Sequence, residues 1–185
     1  SAIVKVNPLP AINAVTVKDI NCYGDADGQI VITASSTAPP LSYSIDSGAT
    51  FVNTSTFSNL GTGSYYVVVK DANNCPLVYT ANPALVSQPS ALSTQTQGKN
   101  PNCNGDHNGF AEVTAAGGTA PYQYAWNTNP PYTGYLLSNV QGNTLYIVTV
   151  TDNHSCVAID SITLSEPSVV TINAIPDNVK CFKGT

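Results

Sequence analysis

Charge is what this chain has least of. Only 9% of its 185 residues are charged, against about 25% in ordinary soluble domains. There is no Arg and no Met, the six basic residues are all Lys, and the net charge is -5. No basic footprint for a phosphate backbone exists, so nucleic acid is not an expected partner. No apolar run approaches the ~20 residues of a membrane helix, so no membrane insertion is expected. The N-terminal SAIVKVNP lacks the basic and apolar regions of a signal peptide, and without an initiator Met the sequence reads as a fragment of something longer. Helical periodicity is missing too: no i, i+3, i+4, i+7 stripe outlasts a turn or two. Nor is there a Walker loop, a zinc spacing or a dinucleotide fingerprint.

What fills the space is Ser, Thr, Asn, Gly and Pro between Val, Ile, Leu and Tyr, the balance of an all-β chain rich in turns. Five Cys in an acidic, Met-free chain point to an oxidising, extracellular setting.

The sequence also repeats. A shift of 81 positions aligns Cys22 with Cys103, Gly24 with Gly105, Asp25 with Asp106 and Gly28 with Gly109. It continues through Pro40 and Pro121, Tyr43 and Tyr124, Tyr65 and Tyr146, Asp71 and Asp152, and Cys75 and Cys156. Beyond the second Cys the shift becomes 78: SQPS at Ser87 matches SEPS at Ser165, and Cys181 follows Cys103 by that distance. Pro8, Pro89 and Pro167 each stand 14 residues before a Cys, which sets the boundaries. Residues 1–8 then read as the last strand of a preceding unit, 9–89 and 90–167 as two whole units, and 168–185 as the start of a third. Tandem units that touch only their neighbours form extended rods.

Alternation of period two marks the strands VTVKDI, QIVITAS, LSYSID and YYVVVK in the first unit, and FAEVTAA, PYQYAW, LYIVTV and DSITLS in the second. Six or seven short strands in about 80 residues imply an antiparallel β-sandwich of immunoglobulin-like shape. Its inward face should carry Ile30, Ile32, Tyr43, Ile45, Tyr65, Val67 and Val69. The counterparts in the second unit are Tyr124, Trp126, Tyr146, Val148 and Val150.

The order of these segments resembles the SprB repeat. It runs C-x-G-D-x-x-G, a strand, Pro121 to Trp126 as Pro-Tyr-x-Tyr-x-Trp, a turn with Gly, Tyr146 to Asp152 as Tyr-x-Val-x-Val-x-Asp, a Cys and a closing Pro. The first unit departs from it with Pro40-Leu41-Ser42-Tyr43-Ser44-Ile45, which implies a lighter core there. The resemblance implies structural spacer repeats of a very large cell-surface adhesin of gliding Bacteroidetes, exported by type IX secretion. It also implies neighbouring repeats as partners and a role in gliding or attachment. Asp160-Ser161-Ile162 resembles the short sequence that such bacteria glycosylate, which makes Ser161 a glycosylation candidate.

Two candidate chemistries remain in the loops. Asp25, Asp27 and Asp106 could supply oxygens to calcium, but the Glu that closes an EF-hand loop is absent. A tight turn is the preferred reading, with Gly24 and Gly28 at positive φ and Asp25 capping backbone N–H groups. No cofactor is then required.

The cysteines offer two pairings. Cys22–Cys75 and Cys103–Cys156 would each lie inside one unit, and this is preferred because a unit could then fold alone. Yet a rod requires an odd number of strands, which sends the first and last hairpin turns to opposite poles. A bridge across the junction, such as Cys22–Cys156, answers that difficulty.

No catalytic residue is expected. His107 and His154 correspond to Ala26 and Asn73, and a catalytic His should not be confined to one copy of a structural repeat. The second function considered is a carbohydrate-binding β-sandwich module that touches surface polysaccharide. Its outward aromatics would be Tyr122, Tyr132 and Tyr135, with Tyr124 and Trp126 turned to the core.

Overall fold

The computed structural model describes residues 7–175. The strand expected over residues 1–8 falls largely outside them, as does most of the segment from 168 onward. Among the described residues there are fourteen strands and no helix.

The N-terminal half holds β1 (Ala11–Lys18), β2 (Gly28–Ser35), β3 (Ser42–Ser44), β4 (Thr56–Leu60), β5 (Gly63–Tyr65), β6 (Val68–Lys70), β7 (Pro76–Val78) and β8 (Ala84–Val86). The C-terminal half holds β9 (Ser93–Lys99), β10 (Gly109–Ala116), β11 (Gln123–Trp126), β12 (Leu136–Val140), β13 (Thr144–Thr151) and β14 (Val157–Leu164). One sheet of each half is ordered β1-β2-β4 or β12-β10-β9. The facing sheet is β3-β6-β7 with β5-β8, or β11-β13-β14. All the ladders are antiparallel.

Period-two alternation explains why the two sheets meet. In the first half Ile30 and Ile32 of one sheet pack on Val67, Val69, Ala84 and Val86 of the other, all of them buried. In the second, Ala111 and Val113 face Trp126, Tyr146, Val148 and Val150. Tyr43, Ile45, Tyr65 and Tyr124 lean on these cores half-buried. Tyr65 and Tyr146 also tie their own turns, donating to Gly61 O at 2.9 Å and Gln141 O at 3.0 Å.

The same irregularity interrupts both halves. Register shifts between Gly28 and Ile30, and again between Gly109 and Phe110. There a Cβ on Gly28 would stand 2.7 Å from Leu60 O, and one on Gly109 3.0 Å from Val140 O. Gly28 was expected at positive φ; in the two opening loops it is Gly24 and Gly105 that take it, at 84° and 82°. Close approach of a neighbouring strand is what excludes a side chain at Gly28.

One difference between the halves has a clear cause. β13 and β14 run unbroken, while their counterparts are divided into β5 and β6 and into β7 and β8. Three more residues separate Cys75 from Pro89 than Cys156 from Pro167. They push the chain out of the ladder, and Asn82 fills the gap: Val67 N–H donates to Asn82 Oδ1 at 2.8 Å, and Asn82 Nδ2 donates to Val67 O at 3.0 Å.

Asn82→Ala should leave the Val67 N–H without its partner, while Val67 O keeps the Tyr79 N–H at 3.0 Å, and destabilise the N-terminal half by about 1–3 kcal/mol. Trp126→Ala should cost the other half about 3–5 kcal/mol. Denaturant unfolding of each variant checks the two values, and a neutral Asn82→Ala would remove the ladder-filling role.

Candidate functional site

Each repeat opens with a loop closed by one acceptor side chain. Asp27 Oδ1 accepts the Asn21 N–H at 3.0 Å, and its Oδ2 accepts Asn21 Nδ2 at 2.5 Å. In the second copy Asn108 Oδ1 accepts the Asn102 N–H at 2.9 Å. An oxygen at that position, rather than a charge, is what the loop requires. The Asn21 N–H, followed by the Lys18 ammonium 3.1 Å away, holds the Asp27 carboxyl below its ordinary range. The cap expected of Asp25 therefore falls to Asp27; Asp25 joins through its own N–H, donated to Cys22 O at 3.1 Å. Asp106 Oδ2 accepts Asn108 Nδ2 at 3.0 Å. Among the described residues no three His, Cys, Asp or Glu side chains gather as a metal ion would require.

The closing turn of each repeat is organised by a buried carboxylate. Asp71 Oδ1 accepts the N–H groups of Asn73 at 2.9 Å and Cys75 at 3.1 Å. Asp152 Oδ1 accepts those of His154 at 2.8 Å and Cys156 at 2.9 Å, and its Oδ2 takes the Thr119 N–H at 2.8 Å. Burial pushes the Asp152 carboxyl up, but these hydrogen bonds and the nearby His154 outweigh it and hold the group below its ordinary value of 3.8.

These two elements meet between the halves. Cys22 of the first opening loop is bonded to Cys156 of the second closing turn, with Cα atoms 5.7 Å apart. His154 Nδ1–H donates across the same contact to Asn21 O at 3.2 Å. The connecting chain is tied on both sides. Ser87 N–H donates to Asp19 Oδ1 at 2.8 Å and Gly24 N–H to Gln88 Oε1 at 2.9 Å on one side, and Gly118 N–H to Ser90 O at 2.8 Å on the other.

The preferred internal pairings, Cys22–Cys75 and Cys103–Cys156, are therefore corrected. β2 and β14 each have eight residues, and strands of that length span about 25 Å. Cys22 and Cys75 lie at opposite ends of such a sandwich, whereas a disulfide needs Cα atoms within about 7 Å. Cys75 and Cys103 carry free thiols.

Other candidate residues are scattered. Ser161 is exposed on β14. Tyr122, expected to face outward, instead packs against the core and donates to Gly117 O at 2.6 Å. Tyr132 and Tyr135 remain 45% and 56% exposed, while Trp126 is buried and donates Nε1–H to Gly134 O at 2.9 Å. His107 is exposed in its loop. The junction role of His154 was missed because its turn gains meaning only against the preceding repeat; the strand-parity argument was the signal that placed it there.

Two antiparallel β-units, the opening loop of one bonded to the closing turn of the other, define a tandem β-repeat protein. The family model of the SprB repeat matches residues 14–50 and 96–131, once in each half. No curated protein matches the chain. Among solved structures, a C-terminal 282-residue fragment of intimin, in complex with the intimin-binding domain of the translocated intimin receptor, aligns at 11% identity and a TM-score of 0.45. The alignment covers 84% of this chain and 64% of that one. A structure addressing Dscam isoform specificity aligns at 13% identity and a TM-score of 0.38, covering 88% of this chain and 47% of the other.

A bridge spanning 134 residues limits the unfolded chain by about 5 kcal/mol on the loop-closure estimate. Reductant should lower the melting temperature by several degrees, while EDTA should leave it unchanged if the acidic loops are turns. Destabilisation by EDTA, greater for the first repeat, would instead reveal calcium.

The depressed carboxyl of Asp152 gives a pH dependence of defined sign. Its contribution is fully present above the ordinary value of 3.8 and is lost as pH falls through the lower folded value. Amide exchange at His154 and Cys156 should accelerate in that acid range, and Asp152→Asn should abolish the acid step.

Proposed function

We propose that these units are spacers in an extracellular, rod-like bacterial adhesin, serving gliding or attachment by holding an adhesive region away from the cell. Residues 9–89 and 90–167 act as two immunoglobulin-like modules of the array, and neighbouring repeats are their partners. The observation that carries the reading is the Cys22–Cys156 bridge at a junction whose two sides also share backbone contacts. A module that binds through one face has no need of a covalent clasp to its neighbour. A spacer does, because drag on the distal end is transmitted through every junction, and a bond there resists hinge opening and local unfolding.

The SprB matches support a cell-surface location, and a disulfide fits an oxidising compartment. Type IX export belongs to the same reading, as does an O-linked glycan on the exposed Ser161. The exposure of Tyr132 and Tyr135 keeps polysaccharide binding as the competing function.

Small-angle scattering of the two-repeat chain should give one extended particle about 80 Å long, twice the length of a sandwich with its loops. Reduction should broaden its distance distribution. Saturable binding of a surface polysaccharide that disappears in a Tyr132→Ala/Tyr135→Ala variant would replace the spacer with the binding module.

A further inference from the structure

The free thiols of Cys75 and Cys103 occupy settings already seen in bonded form. Around Cys103 the loop closes through Asn102 and Asn108 as the Cys22 loop closes through Asn21 and Asp27. Gly105 takes the φ of Gly24, and its N–H donates to Glu166 where Gly24 donates to Gln88. Around Cys75 the buried Asp71 collects the same N–H groups that Asp152 collects around Cys156. Asn74 and Ser155 share positive φ in the two turns, at 58° and 67°.

The grooves beside the two opening loops make the same comparison. Beside Cys22 the groove is walled by Ala91 and Leu92 of the connecting chain and by Ser155, Cys156 and Val157 of the following turn. Beside Cys103 the connecting-chain wall recurs as Val169 and Val170, and no closing turn stands opposite among the described residues. Val170 is 89% exposed, whereas its equivalent Leu92 is half-buried. The groove at Cys103 thus has the shape of half a junction, and the turn that fits it is one built like Asp71 to Cys75.

We propose that Cys103 and Cys75 are the two open halves of a further junction, each forming a disulfide with the matching cysteine of an adjoining copy of the repeat. Every repeat is then bonded through its opening loop to one neighbour and through its closing turn to the other, and the array is a continuous covalent chain of clasps. The inference rests on the spacer reading and names its partner chemistry. Bond formation is thiol–disulfide exchange: the two thiols give up two protons and two electrons to a disulfide oxidant, glutathione disulfide, which leaves as two molecules of glutathione.

A second copy of this chain supplies the partner turn for the test. The Cys181→Ser variant removes the one thiol that lies outside the described residues. Incubated at high concentration with glutathione disulfide, it should form a head-to-tail ladder on non-reducing gels. Peptide mapping should find Cys75 joined to Cys103 as the dominant new link, with Cys22–Cys156 unchanged. Adding Cys103→Ser or Cys75→Ser should abolish the ladder beyond dimer without touching the internal bridge or the monomer's melting temperature. A monomer that stays unlinked, a statistical mixture of symmetric and mixed links, or a Cys75–Cys103 bond within one molecule overturns the proposal. If Cys22–Cys156 is present in those samples and scattering still shows an extended particle, only this proposal fails. If Cys22–Cys156 is absent as well, the spacer reading loses its support too.

Discussion

The direction in which the chain crosses each sandwich governs the rest of the molecule. β1 and β2 are antiparallel, β2 and β4 are antiparallel, and β6 and β7 close the other sheet in the same way. Between β3 and β4 the chain doubles back, with Val52 bridged to Tyr43 in antiparallel sense. That extra pass makes the number of crossings odd, so the chain comes in at one pole and goes out at the other. The opening loop with Cys22 lies at the exit pole, beside Ser87 and Gln88, and the closing turn with Cys75 lies at the opposite one. Once the poles are fixed, the next repeat can present only its closing turn to the Cys22 loop. The disulfide partner follows from topology.

Polar side chains, rather than the core, shape the surfaces that meet. Asp27 and Asn108 differ in charge yet close the same loop, because each needs to offer one oxygen to the N–H preceding the cysteine. Asp152 does need charge: both of its oxygens accept N–H groups while buried, which an uncharged amide cannot do with both of its heavy atoms. The tight turn therefore holds Cys75 and Cys156 in one orientation whatever residue lies between, Asn73 in one copy and His154 in the other.

The strands and the inward faces were legible in the sequence because period-two alternation reads burial directly: every position expected to face inward is buried or half-buried against a core. The loops were less legible. Asp25 and Asp27 are chemically alike and two residues apart, and only the fold of the backbone decides which one reaches Asn21. The same holds for Gly28, where close strand approach and positive φ both select glycine and leave the same letter. Alternation itself puts Tyr122 on the same face as Tyr124 and Trp126, so the outward reading misapplied the period; the ring packs on the core and its hydroxyl reaches Gly117 O. The cysteine pairing was the hardest, since foldability of a lone repeat favoured one answer and strand parity the other. Parity is a constraint on backbone reach, which no gain in loop entropy can override, whereas independent folding is a convenience that a buried core already supplies.

That hierarchy also explains why the two repeats tolerate their differences. The N-terminal sandwich lacks a tryptophan at its centre and has its last strand divided by an insertion, yet its poles are built as in its neighbour. Interior changes are absorbed locally: Asn82 supplies side-chain hydrogen bonds where the ladder is broken, and Tyr65 still ties its own turn. Changes at the poles have no such freedom, because the loop and turn must match a surface belonging to another repeat. In an array of units that touch only neighbours, selection on the core acts within one unit, while selection on the poles acts on two at once. At the poles Gly24 with Gly105, Asp71 with Asp152, and the paired cysteines are alike in both copies, as Tyr43 with Tyr124, Val67 with Val148 and Val69 with Val150 are in the cores.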